Sequence, residues 1–421
     1  MALLFLCLIF GTGRTQKIEA AVQNVPESLE EESRLDTVGT DQETERAAVR
    51  EKKGQQEKEA GDTETDQAAA AQDELLAELD FDAIQQEVDS LLSSQQFSFA
   101  GTVRSLLQDG DPFRTFRAGN AVLSCAKTAF LAQKGLMKEL FLLVLAGAVL
   151  GSFSSLFEGK QVRDASFYMV YLLALALILK NFQSSGENLK AVITSLVAFM
   201  RILTPSYYLA AAAAGGASSA VMFYQMLLLV ILAVEKLLLA LVLPMIHIYL
   251  LIALVNDLSG EEILSHMTEL LETCVNGLLK SSLGVLVGMQ MIRNLIAPAL
   301  DSLRQMALWR TAGMIPGIGN AVNAVTELVA GSAVLIRNCF GVTAMLVLLA
   351  AGMVPAVQLL VSGLSFRLLA AAAQPVSDKR IAGCLAAAGK GYAMLLRLLL
   401  TVEVLFLLTI AILAGTFSDK L

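Results

Sequence analysis

The chain has 421 residues, 55% of them hydrophobic and only 17% charged, with a mean hydropathy of +0.62; this profile excludes an ordinary soluble globular domain and points to a membrane. The net charge of −8 is unevenly spread, because residues 14–89 hold 8 Lys/Arg against 22 Asp/Glu and the rest of the chain holds 23 against 17. An acidic head precedes a mildly basic, apolar body that lacks the concentrated Lys/Arg patch nucleic-acid binding requires, so no nucleic-acid partner is expected.

Residues 2–10, ALLFLCLIF, form an apolar run too short to span a bilayer. The run suits the hydrophobic part of a signal peptide, or a short N-terminal anchor, over residues 1–20. Residues 21–72 are acidic, rich in Gln, Thr and Ala, and devoid of aromatics, and are expected to be a disordered linker. Order is predicted to return over 73–139, the segment before the membrane. In DELLAELDFDAIQQEVDSLL (73–92), Phe81, Ile84, Val88 and Leu91 recur at spacings of three and four with acids on the other face. That pattern makes an amphipathic helix, suited to a partner, a membrane surface or its own chain.

Residues 140–417 read as a polytopic transmembrane domain. Charge-poor apolar runs lie at about 140–157, 165–179, 191–213, 217–234, 237–256, 281–300, 342–366 and 398–417, which predicts an all-α membrane bundle of about seven or eight transmembrane helices in contact with the lipid bilayer. A helix from Ile202 to Val234 would be about 50 Å long, too long for one crossing, so a break is expected near Gly215 and Gly216. Between the fifth and sixth runs, Ile263, Met267, Leu270, Leu271, Cys274 and Leu278 share one helical face, which predicts an interfacial or core-packed helix. Gly147-x-x-x-Gly151 and Gly284-x-x-x-Gly288 predict close helix approach.

Catalytic and metal-binding patterns are missing. Neither His247 nor His266 has a ligand-spaced partner, and no HExxH occurs. Cys7, Cys125, Cys274, Cys339 and Cys384 are scattered and read as small buried hydrophobes. The glycine-rich run from Gly383 to Gly391 has the wrong spacing for a phosphate loop, and reads as the small-residue surface of a helix. No catalytic residue, cofactor or metal is therefore expected, and the chain is expected not to be an enzyme. What remains are charges at possible membrane depth, Arg201, Lys280, Glu327, Arg337 and Glu403, each costing about 3 kcal/mol on insertion scales unless it faces the bundle interior or water. Glu327 with Glu403 is the one carboxylate pair an intramembrane enzyme could use.

The order of these features resembles one family, stage III sporulation protein AE of endospore-forming bacteria, over about residues 75–417. The resemblance rests on LAELDFDAI (76–84), on Pro205 followed by AAAAAGGASSA with Gly215 and Gly216, and on MIPGIGNAVNAVTELVAGSAVLIRNCFG. The last stretch carries an Ile-Pro-x-x-Gly core, Ile315, Pro316 and Gly319, followed by Arg337, Asn338 and Gly341. Arg201 departs from the apolar residue expected at its position. The resemblance implies a multi-pass component of the channel complex linking mother cell and forespore. Its partners would be other membrane and ring-forming proteins of that complex, and its site the mother-cell membrane around the forespore.

Two structural readings of residues 311–338 stay open. In one, Pro316, Gly317 and Gly319 interrupt a helix at membrane depth, and Asn320, Asn323 and Glu327 face an internal cavity. In the other, 311–320 is a surface loop before an ordinary helix. Breaks at 205–216 and 315–319 would also suit a secondary transporter or permease with a midplane site, the runner-up function.

Overall fold

The computed structural model describes residues 80–92, 97–109, 118–154, 160–211, 229–259, 264–312 and 319–415. The expected signal peptide and acidic linker lie outside these residues, as do Gly215, Gly216, Pro316 and Gly317. Every described element is a helix: α1 (Phe81–Leu91), α2 (Phe99–Asp109), α3 (Ala118–Ser154), α4 (Lys160–Ala211), α5 (Leu229–Ser259), α6 (Ser265–Ala312), α7 (Gly319–Ala373) and α8 (Lys379–Gly415).

Five stretches are long and apolar enough to cross a membrane: Phe167–Tyr207, Leu229–Ser259, Ser265–Met289, Gly331–Ala373 and Lys379–Ala411. Their outward faces are apolar, with Met169 77%, Val285 60% and Leu368 60% exposed. Such faces are unstable in water and suited to lipid. The chain is thus a helical membrane protein, and the expected seven or eight crossings are approximate. The run at 165–179 and the run from 191, as far as Ala211, belong to one continuous helix, α4, whose 52 residues rise about 78 Å. Lys180, Glu187 and Lys190, which divide the hydropathy profile there, all lie on its surface. Charged side chains on long stems leave the backbone ladder intact.

The amphipathic segment before the membrane folds back on its own chain. Asp80 caps α1 by accepting the Ala83 N–H at 3.1 Å, and Ser98 caps α2 by accepting the Gly101 N–H at 3.1 Å. Gln85 ties the two helices together: its Oε1 accepts the Phe99 N–H at 2.8 Å and its Nε2 donates to the Phe97 carbonyl at 2.7 Å. The hairpin buries Ile84, Val88, Phe99 and Val103, with α1 packed on α4 and α2 on α7.

Helices α7 and α8 form the most extensive pairing, an antiparallel hairpin turned at residues 374–378. Pro375 stops α7, and Asp378 caps α8 by accepting the Arg380 N–H at 3.1 Å. Small residues set the spacing, since a Cβ on Gly363 would stand 3.2 Å from the Tyr392 Cβ and 3.6 Å from the Gly389 carbonyl oxygen. The run from Gly383 to Gly391 is helical surface, with Gly391 against Phe182.

One packing expectation is narrowed and one needs correction. On α6 the buried stripe is Val275, Leu279, Ser282 and Leu286, whereas Met267 and Leu270 are 48% and 58% exposed. Leu271 and Leu278 of the expected face pack partly against the core, and α6 meets α5 and α8. A Cβ on Gly284 or Gly288 would meet nothing within 4 Å, so among the described residues no other helix approaches there. Gly147 behaves as expected, with Val170 Cγ1 at 3.0 Å from such a Cβ. Of the described cysteines Cys384 is buried, Cys339 intermediate and Cys274 exposed.

Candidate functional site

The interior of the bundle carries polar groups at three levels. The first is a node of four helices around Tyr392 of α8. Its hydroxyl accepts from Asn181 Nδ2 at 2.6 Å and lies 3.3 Å from Ser185 Oγ, both on α4. The Tyr392 ring stacks on Phe366 of α7, with centroids 5.2 Å apart and planes at 16°, and meets Phe182 of α4 edge-on at 5.2 Å. Phe182 in turn meets His247 of α5 at 5.2 Å. His247 Nδ1 bonds to the Leu243 carbonyl at 2.9 Å, and the ring occupies the space a side chain at Gly186 would need.

The second level lies farther from the turn of the α7–α8 hairpin, at Glu403. This side chain is 7% exposed, and its carboxyl fills the position that a Cβ on Gly352 would take. A side chain at position 352 would displace the carboxyl from this place.

The third level is Arg337, buried to 0% exposure on α7. One turn on, Phe340 gathers the docked hairpin and α4: Phe99 at 4.9 Å, Phe81 at 6.1 Å and Tyr207 at 6.4 Å between ring centroids. Tyr207 also lies within electrostatic reach of the guanidinium. An aromatic cluster drawn from four helices thus lies one turn from a buried cation.

The helix rise separates these levels. Arg337 precedes Gly352 by 15 residues and Glu327 precedes it by 25, about 22 Å and about 37 Å along α7. Glu403 sits against Gly352, so the structure brings it to neither Arg337 nor Glu327. The one carboxylate pair offered by the sequence is not assembled.

Other singled-out residues fall as follows. Gly319 and Asn320 open α7, which continues through Asn323 and Glu327 without interruption. Asn338 is half-buried beside Arg337. Pro205 lies inside α4, which carries on to Ala211. Arg201, the residue out of place in an apolar span, bonds to Glu235 of α5 through Nη2 and Oε2 at 2.9 Å. Sequence reasoning missed Asn181, Ser185, Tyr392 and Glu235, whose partners lie at least 34 residues away. It also missed the π-helical turn at Leu238–Val242, where the Leu243 N–H reaches back to the Leu238 carbonyl. Pro244, which cannot donate to Ala240, supplies the cause. Among the described residues no group of three or more His, Cys, Asp or Glu is placed to hold a metal.

Comparison with known proteins bears on this arrangement directly. The model of the family described as stage III sporulation protein AE matches residues 97–416. The chain is similar to a protein of Bacillus subtilis (strain 168) named "Stage III sporulation protein AE", with 22% identity over 291 residues, covering 68% of this chain and 73% of that one. No solved structure matches.

Proposed function

The chain belongs to the stage III sporulation protein AE family, and from that premise we propose that it is a non-enzymatic membrane component of the channel complex, a secretion-like apparatus, linking mother cell and forespore. It sits in the mother-cell membrane around the forespore, beside other membrane and ring-forming proteins of that complex, and forespore development needs it. The observation that carries the proposal is the extent of the family match: residues 97–416 include all five apolar crossings and all three interior polar levels. A sporulation role follows from the family itself. The buried Arg337 and Glu403 support a bundle whose interior, not only its fold, matters to function.

The test is made in the native host. A strain lacking the chain is expected to lose heat-resistant spores and regain them on complementation. A tagged copy, crosslinked in sporulating membranes, is expected to run in a complex with ring-forming partners. Normal spore yield without the chain, or a copy that stays uncrosslinked throughout sporulation, overturns the reading.

A second reading, a secondary transporter or permease, draws support from the π-helical turn at Leu238–Val242 and from Pro355 within α7. Irregular turns in membrane helices free backbone groups for a midplane site. Substrate-dependent flux through reconstituted chain alone distinguishes it.

A further inference from the structure

Pro355 lies three residues beyond Gly352 inside α7. Proline has no N–H, so the carbonyl of Ala351, four residues earlier, lacks its helical donor. Ala351 is 7% exposed, so water does not readily replace that donor. Across the hairpin, Glu403 places its carboxyl in the space beside Gly352. A buried acid and a carbonyl stripped of its helical partner thus come to the same level of one helix interface, in a gap kept open by a glycine.

Among the described residues the charges near this level are engaged, exposed or distant; on α3, which packs on α7, Lys127, Lys134, Lys138 and Glu139 are all exposed. On α8 the nearest is Arg397, whose Nη1 donates to Asn276 Oδ1 at 3.0 Å. On α7 the nearest are Arg337 and Arg367, each 15 residues from Gly352 and about 22 Å away. Registers set by Asn181 with Tyr392, Gly391 with Leu250, and Arg397 with Asn276 bring Lys190, Glu235, Lys236 and Lys280 near this depth. Lys190, Lys236 and Lys280 are exposed, and Glu235 is held by Arg201. Among the described residues no cation bonds to Glu403, so a carboxylate there would stand uncompensated beside an acceptor carbonyl.

We propose that Glu403, the Ala351 carbonyl and the Gly352 gap form a proton-binding site in the α7–α8 interface. In the loaded state the neutral carboxyl donates its O–H to the Ala351 oxygen. Release of the proton to water leaves a carboxylate facing that same oxygen, and the repulsion loosens the two helices. Proton occupancy of one side chain thereby sets the packing of the bundle's largest helix pair. This inference holds whether or not the chain lines a passage.

The test uses dicyclohexylcarbodiimide, an apolar reagent that adds to protonated carboxyls, on the full chain in native membranes, with the adduct mapped by mass spectrometry. An adduct is expected at Glu403, falling about tenfold for each pH unit above its titration midpoint and unchanged when sodium chloride replaces choline chloride at fixed pH. Glu403→Gln, an isostere of the loaded form, is expected to accumulate normally and give no adduct at that position. Gly352→Ala is expected to move the carboxyl out of the gap and change the pH profile of labelling. No adduct at Glu403 across the pH range, in chain that labels once denatured, overturns the site. So does a pH-independent adduct. Protection by sodium assigns the site to a metal cation instead, and an unchanged profile in Gly352→Ala removes the glycine gap from it.

Discussion

Phe99 of the docked hairpin and Phe340 of α7 meet edge-on, with ring centroids 4.9 Å apart and planes at 76°. The contact decides what the amphipathic segment before the membrane does: it docks on the bundle one turn from Arg337. Truncating Phe340 to Ala removes contacts to Phe81, Phe99 and Tyr207 together and is expected to cost about 3–5 kcal/mol of local stability. Trypsin reads the outcome, because Arg104 lies on α2 and cleavage within a helix requires local opening. Faster cleavage there in Phe340→Ala, with cleavage at Lys138 of α3 unchanged, is the expected result. Equal rates at Arg104 would mean that the rings do not hold the hairpin.

The Tyr392 hydroxyl serves Asn181 and Ser185 across two helices. Tyr392→Phe strands the Asn181 amide inside the bundle and is expected to cost about 1–3 kcal/mol, seen as a lower Tm in detergent. Adding Asn181→Leu and Ser185→Ala removes the stranded groups and should recover much of that loss. A triple variant no better than the single one means that the stranded Asn181 amide is not what the single variant loses stability to.

Arg201 and Glu235 join α4 to α5 within apolar surroundings. Arg201→Leu leaves Glu235, 17% exposed, without its partner. That single change is therefore expected to lower accumulation in the membrane more than Arg201→Leu with Glu235→Leu, because the double variant leaves no lone charge. Strict additivity in the double-mutant cycle would falsify the coupling.

How much of this was legible in the sequence depends on the range of the signal. The helix over 81–91 follows from apolar residues three and four apart, and the membrane body follows from hydropathy, because both signals are local. The continuity of α4 was hidden because Lys180, Glu187 and Lys190 interrupt hydropathy without interrupting backbone bonding. The Tyr392 node was hidden because its members come from α4, α5, α7 and α8, and each alone reads as an ordinary polar residue in an apolar run. Glu403 stood out as a charge at depth, but its fit to Gly352 is a pairing between helices that no spacing encodes. On α6 the apolar face was visible, yet apolar residues face lipid as readily as a neighbouring helix, so the pattern alone did not fix the packed side.

Glycines within the apolar helices are expected to behave oppositely according to what faces them. Gly363→Val forces a branched side chain against Tyr392 and Gly389, and should cost about 1–3 kcal/mol by overpacking the α7–α8 interface. Gly284→Ala and Gly288→Ala face open space and should be neutral or stabilise α6 by up to about 1 kcal/mol through helix propensity. Thermal unfolding of the purified chain in detergent separates the two classes. A large loss from Gly284→Ala would mean that this face is covered by another chain in the detergent complex.

Asn320, Asn323 and Glu327 fall at spacings of three and four near the start of α7, whose backbone is continuous there. These positions therefore share one face, and we propose that this face borders water within the bundle or passage. Single cysteines at the three positions, in sporulating cells treated with a membrane-impermeant thiol reagent, are expected to label, while Val322→Cys and Val325→Cys on other faces do not. Glu327→Leu is expected to reduce spore formation, because an apolar residue on a wet face removes the charge that hydrates it. Uniform labelling near 320 that fades by 327, together with normal sporulation of Glu327→Leu, would mean that the first turns of α7 lie at the protein surface. The interior acid that matters would then be Glu403, about 37 Å farther along the helix pair.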